Sequence, residues 1–116
     1  MAKVGPDSEI VDDLAKPFLD LAEGLEAARL NGVPEETWEA LLETNVFMWK
    51  YMSAQLPRMS NQGLPQDTRD LLKRITDFMN RASASLVGQR DDELIRKMVQ
   101  LNLNMCDQIL RLRGSK

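Results

Sequence analysis

The feature that most constrains this chain is a helical repeat of apolar residues, which occurs in four segments separated by proline and glycine. In the first segment Leu14, Phe18, Leu21 and Leu25 follow one another at intervals of three or four residues. This spacing places them on one face of an α-helix. No stretch alternates with the period of two that indicates a β-strand. The chain is therefore predicted to be all-α.

The punctuating residues set the predicted limits of four helices. Asn31-Gly32 provides a stop after the first helix, and Pro17 is expected either to kink that helix or to begin a new one. Proline is tolerated at the start of a helix and ends the helix that precedes it. The resulting helices are predicted over Ser8–Leu30, Pro34–Leu56, Pro65–Leu86 and Asp91–Arg113. Pro57 is predicted to end the second helix, and residues 58–63 to form a polar loop. Gly88 is predicted to end the third helix and Gly114 the fourth.

Four amphipathic helices of this length cannot each bury an apolar face alone. Packing them side by side, mostly antiparallel, gives a four-helix bundle. The 116 residues match the usual size of one domain, so a single domain over residues 1–116 is predicted. Residues 1–7 and 114–116 are predicted to be disordered ends of this domain.

The composition argues against catalysis and against metal or cofactor binding. The chain has no histidine, which removes the commonest general base and metal ligand, and its single cysteine cannot build a thiolate metal site. No glycine-rich phosphate loop precedes a helix. Cys106 lies on an apolar stripe without a base to activate it, so a small buried side chain is the preferred interpretation. No catalytic, cofactor-binding or metal-binding residue is predicted.

The charge and the cysteine count also restrict location and partners. The formal net charge is -3, whereas nucleic-acid binding usually requires a surplus of basic residues on one face. A single cysteine fits a reducing compartment. The sequence lacks an apolar run long enough to span a membrane and a signal-peptide pattern at its start. A cytoplasmic protein without a membrane partner is predicted.

Two features point to protein binding. Asn45 and Asn102 each interrupt an apolar stripe, where an unpaired amide costs ~1–3 kcal/mol, so each is expected to pair with a backbone group, with the other asparagine or with a partner's backbone. The second and fourth helices also carry more apolar residues than one stripe holds, which favours either a central position or a groove for a partner. The predicted partner-binding residues are Asn45, Phe47, Met48, Trp49, Tyr51, Met52, Leu101, Asn102 and Leu103.

Several short motifs occur in an order that resembles a known family. Ala40-Leu41-Leu42-x-x-Asn45-x-x-Met48-Trp49 is followed by Asn61-x-Gly63-Leu64-Pro65, Arg69-x-Leu71, Asp77-Phe78-Met79, Leu101-Asn102 and Ile109-Leu110. In this order and spacing the chain resembles the FlaF family of flagellar regulatory proteins from alphaproteobacteria. The resemblance covers residues 34–112.

The resemblance implies a non-enzymatic regulator of flagellum biogenesis. Such a protein supports the synthesis or secretion of flagellin, binds flagellin in the manner of an export chaperone, and acts with the translational regulator FlbT. Two alternatives remain open at this point. One is an RNA-associated regulator of flagellin translation, and the other is a helical adaptor that self-associates, for example as a homodimer.

Overall fold

A computed structural model describes residues 6–59 and 65–114 of the chain, and within them the side chains of residues 15–55, 58 and 65–111. Four helices account for nearly all of this part: α1 (Pro6–Asn31), α2 (Glu35–Met59), α3 (Gln66–Leu86) and α4 (Asp92–Gly114). No strand occurs among the described residues. The all-α class and the four helices are therefore confirmed.

The helices associate as two pairs, α1 with α4 and α2 with α3. In the first pair Arg29, near the end of α1, forms an ion pair with Asp92 at the start of α4. In the second pair Asn45 contacts Met79, and Ser53 contacts Thr76 further along α2 and nearer the start of α3. Both pairs are therefore antiparallel, as predicted. Each pair is also a compact unit by its internal contacts. The single domain over residues 1–116 stays a prediction.

Some helix boundaries differ from those predicted. α2 runs through Pro57 to Met59, so the prediction that Pro57 ends this helix is wrong. A proline has no amide hydrogen and a fixed φ, so near a helix end it removes only a single backbone hydrogen bond. Pro6 is helical in α1 and Gly114 is helical in α4, so the predicted disordered ends are too long. Residues 1–5, 60–64, 115 and 116 lie outside the described residues.

Proline and glycine act differently in α1. The helix is continuous from Pro6 to Asn31 and contains Pro17, so no new helix begins there. At its end Gly32 has a φ of 76°, in the left-handed region that favours glycine, and its amide donates to Ala28 O at 2.8 Å. This is the αL cap that the Asn31-Gly32 pair predicts.

The buried side chains follow the predicted stripes closely. In α1 and α4 they include Phe18, Leu25, Ile95, Met98 and Ile109; in α2 and α3 they include Trp38, Leu42, Trp49, Met52, Leu72, Met79 and Leu86. The helical spacing in the third segment predicts both Leu71 and Leu72 on its apolar stripe, but Leu71 is exposed, because Leu72 takes the inward position. The same spacing predicts Val11, Leu14, Leu56 and Leu112 on the stripes of the other helices, and these four lie outside the described side chains.

Candidate protein-binding grooves

The predicted partner-binding residues fall into three groups by burial. Phe47, Tyr51 and Leu103 are exposed, and Met48 and Leu101 are half-buried. Asn45, Trp49, Met52 and Asn102 are buried. The buried four therefore offer no surface to a partner in this structure and can only support a binding surface from beneath. The six residues from α2 and the three from α4 also belong to different helix pairs.

The two stripe asparagines lie inside the protein. The Asn45 Nδ2 donates to Met79 Sδ on α3 at 3.2 Å, so this amide links the two helices of its pair. Asn102 is buried to the same degree on α4. Neither side chain points into solvent, as expected for amides that have a structural role within an apolar stripe.

A groove lies along the α2·α3 pair. Its volume is about 470 Å³, and the residues that line it are Glu39, Leu42, Glu43, Val46, Phe47 and Lys50 from α2 with Asn80, Ser83, Ala84 and Val87 from α3 and its end. We call it the α2·α3 groove. The α2 residues recur at intervals of three or four, so they form one face of that helix. From Glu39 to Lys50 the groove follows about three helical turns, or roughly 16 Å.

The rim of the α2·α3 groove carries an exposed aromatic pair. The Phe47 side chain is 62% exposed, and its ring stacks on that of Tyr51 with 6.2 Å between ring centroids and 21° between ring planes. These two residues are one helical turn apart, so the stack forms within α2. A large aromatic surface held in a fixed position is a common anchor of protein interfaces.

The floor of the same groove contains an unusual hydroxyl. Ser83 Oγ is buried and has no hydrogen-bond partner among the described residues. Leu42 is buried beside it and Val46 is half-buried, whereas Phe47 and Val87 at the rim are exposed. The groove therefore has an apolar interior and an open rim, which is the form that accepts the apolar face of a helix.

One end of the α2·α3 pair is fixed by Trp38. The Trp38 Nε1 donates to Leu86 O at 2.9 Å, which satisfies a carbonyl in the last turn of α3. The Arg90 guanidinium lies over the Trp38 ring, 4.6 Å from its centroid, and also contacts Glu35 and Val33 O. Because Trp38 is completely buried, this contact fixes the helices just beyond the Glu39 end of the groove.

A second groove lies along the α1·α4 pair. Its volume is about 700 Å³, and the residues that line it are Ala22, Glu23, Glu26, Ala27, Arg29, Leu30 and Asn31 from α1 with Arg96, Val99, Gln100 and Leu103 from α4. We call it the α1·α4 groove. Leu30 and Leu103 are exposed large apolar residues of this groove. No aromatic side chain is among the described residues that line it.

Most charged residues that line the α1·α4 groove belong to ion pairs, and only Glu23 has none among the described residues. The Arg29 guanidinium donates to Glu26 from Nε at 3.0 Å and to Asp92 from Nη1 at 3.0 Å. Arg96 in turn pairs with Asp92 at 3.2 Å. The hydrogen bond from Arg29 lowers the pKa of Glu26, and the two carboxylates raise the pKa of Arg29. This network ties the end of α1 to the start of α4.

Three further findings on the described residues concern the single cysteine, metal binding and membrane-spanning helices. Cys106 is buried, and this burial raises the pKa of its thiol, with Asp107 adding to the effect. In residues 6–59 and 65–114 no group of three or more acidic or cysteine side chains is close enough to hold a metal ion. None of the described helices is both long and apolar enough to cross a membrane.

Most of the α2·α3 groove was not predicted from the sequence. Phe47 was predicted from the apolar surplus on α2, whereas the α3 side, which consists of Asn80, Ser83, Ala84 and Val87, was not. The small residues Ser83 and Ala84 were the available signal, because short side chains on a helix face leave room beside a neighbouring helix.

Comparisons with known proteins add no relative to these observations. No protein-family model, no curated protein and no solved structure matches the chain. The resemblance to the FlaF family therefore stays a prediction that rests on the motifs described above.

Proposed function

We propose that this protein is a non-enzymatic protein-binding module that holds an apolar helical segment of a partner in the α2·α3 groove. The observation that carries the proposal is the exposed Phe47–Tyr51 stack at the rim of this groove. Exposed aromatic residues beside an apolar floor supply much of the binding free energy in helix-in-groove complexes. The apolar floor is formed by Leu42, which is buried, and Val46, which is half-buried.

The partner that the sequence resemblance implies is flagellin. We therefore propose that the protein supports flagellin synthesis or secretion by binding flagellin as a chaperone does, in the cytoplasm and in cooperation with FlbT. A chaperone of this kind has to cover apolar helical surface of its client and then release it. A groove of about three turns, open along its rim, suits such reversible binding.

Binding of purified flagellin, measured by isothermal titration calorimetry, tests the proposal. Trp49 is 1% exposed, so replacing it would test stability and not binding. Phe47→Ala is the informative variant, because truncating an aromatic anchor costs ~2 kcal/mol, or about thirtyfold in Kd. No detectable binding of flagellin by the wild-type protein would reject flagellin as the partner. Equal binding by Phe47→Ala would reject the α2·α3 groove as the site.

A further inference from the structure

Three charged side chains line the α2·α3 groove, and all three lie on α2. Glu39 and Glu43 stand one helical turn apart near one end, and Lys50 stands near the other end. The remaining residues of the lining are uncharged. By the rise of an α-helix, the two carboxylates are separated by about 6 Å along α2, and Lys50 follows Glu43 by about 10 Å.

These three charges have no ion-pair partner within the described part of the chain. In the α1·α4 groove three of the four charged lining residues, Glu26, Arg29 and Arg96, belong to ion pairs, and only Glu23 has no such partner among the described residues. Charges that are already paired mainly fix the helices to which they belong. Charges that line an apolar groove without a partner are available to a bound molecule, and they select it by its own charges.

We propose that the occupant of the α2·α3 groove is an amphipathic helix with a cationic pair beside its apolar face. The pair consists of Lys or Arg residues one turn apart, which face Glu39 and Glu43. An acidic residue about two turns away faces Lys50. This inference rests on the proposed function, because it specifies the partner of the same groove.

The proposal predicts a charge preference that a pair of peptides measures. Peptide A is a designed amphipathic helix of about 20 residues, with lysines at two positions four residues apart beside its apolar face and a glutamate seven residues further on. Peptide B is identical except that both lysines are glutamates. Fluorescence anisotropy gives the Kd of each. Peptide A should bind about tenfold more tightly, because it forms two exposed ion pairs with Glu39 and Glu43 where peptide B places two like charges, whereas the glutamate that faces Lys50 is common to both peptides. Added salt should reduce this ratio.

Exchanging the charges on the protein is the decisive step. In Glu39→Lys/Glu43→Lys the preference should reverse, so that peptide B binds more tightly. The matched control is Glu23→Lys/Asp67→Lys, which changes the net charge equally at two exposed positions outside the α2·α3 groove. This control should keep the wild-type preference. Circular dichroism checks that each variant is folded.

The remaining outcomes separate the two proposals. If both peptides bind equally well and Phe47→Ala weakens both, the groove binds helices without a charge preference, and only this inference is wrong. If the control variant reverses the preference as well, the effect is general attraction between net charges, and the inference is wrong. If neither peptide binds, or if the protein forms a dimer that Phe47→Ala dissociates, the groove does not take a partner helix and both proposals fail.

Discussion

The two helix pairs differ in how the charges that line their grooves are arranged and in the contacts that hold each pair together. Each pair is antiparallel and carries a groove. In the α1·α4 groove Glu26, Arg29 and Arg96 are joined through Asp92, and Glu23 alone of the charged lining residues has no ion pair within the described part of the chain. In the α2·α3 groove none of the three charged lining residues has an ion pair within that part. The α2·α3 pair is fixed instead by a buried hydrogen bond from Trp38 beyond the end of its groove. The comparison indicates which surface is structural and which is available for binding.

The exposed apolar residues support the same distinction. Leu30 in the α1·α4 groove and Phe47 in the α2·α3 groove are almost equally exposed, at 63% and 62%. Phe47 is supported by a stacked tyrosine and lies next to an apolar floor. Leu30 lies beside ion-paired side chains, whose displacement by a partner would cost their mutual hydrogen bonds. Exposure alone therefore does not identify the binding surface.

The largest predicted effect concerns stability and the α2·α3 pair. Trp38→Ala should lower the free energy of unfolding by ~3–5 kcal/mol, because it removes a completely buried indole and its hydrogen bond to Leu86 O. Trp38→Phe keeps most of the ring and should cost ~1–3 kcal/mol for the unsatisfied carbonyl. Urea denaturation measures both values. Equal stability of Trp38→Phe and the wild type would remove the hydrogen bond from this explanation.

The next effect is on binding and compares the two grooves directly. Phe47→Ala should weaken binding of a helical partner about thirtyfold, whereas Leu30→Ala should change it less than about twofold. The two positions are matched in exposure, so both variants should remain folded with little change in stability. Calorimetric titration provides the two Kd values. A larger loss in Leu30→Ala would transfer the binding site to the α1·α4 groove.

A smaller effect is expected from the ion-pair network of the α1·α4 pair. Arg29→Gln should lower the melting temperature, because Arg29 connects Glu26 with Asp92. Glu26 has a pKa below its usual value of 4.5 in the folded protein, so it stabilises the fold above pH 4.5 and this contribution is lost as the pH falls through its lowered pKa. The difference between wild type and variant should therefore be full at neutral pH and should shrink on acidification.

Thermal unfolding followed by circular dichroism between pH 3 and pH 7 measures this difference. Lys16→Gln is a suitable control, since among the described side chains Lys16 pairs with the exposed Asp20 of the same helix. A pH-independent difference for Arg29→Gln would mean that the network does not act through Glu26.

The smallest effect is expected at the floor of the α2·α3 groove. Ser83→Ala removes a buried hydroxyl that has no hydrogen-bond partner among the described residues, so stability should be unchanged or should rise by ~0.5–1 kcal/mol. The neighbouring Ser85 is exposed, and Ser85→Ala serves as the control for helix propensity. If urea denaturation shows a clear loss of stability for Ser83→Ala but not for Ser85→Ala, the Ser83 hydroxyl has a hydrogen-bond partner in solution.

Much of the fold could be predicted from the sequence, because apolar periodicity and helix punctuation are local. The four helices and the cap at Gly32 follow from residues that are close in sequence. Mostly antiparallel packing was also predicted, but the pairing of α1 with α4 and of α2 with α3 depends on contacts between distant segments and was not. The prediction that Pro57 ends α2 was wrong, because a proline disfavours helical geometry in the preceding residue but does not exclude it.

The site was harder to predict, because burial depends on the partner helix. Asn45, Trp49, Met52 and Phe47 lie within two turns of α2. The sequence pattern places the first three on the apolar stripe and Phe47 in the surplus beyond it, but all four were predicted to bind a partner. The structure buries the first three and exposes only Phe47. On the α3 side of the groove, the small side chains of Ser83 and Ala84 leave space beside α2. Small residues do not stand out in the hydrophobic pattern of a sequence, so this side of the groove was not predicted.

The most direct test of the central claim is a ¹H–¹⁵N correlation spectrum of the protein recorded while a helical partner is added. With purified flagellin or with peptide A, we predict that the largest shift changes occur at Val46, Phe47, Ala84 and Val87. The α1·α4 groove should change little. Changes concentrated instead at Ala27, Leu30 and Leu103 would contradict the assignment of binding to the α2·α3 groove.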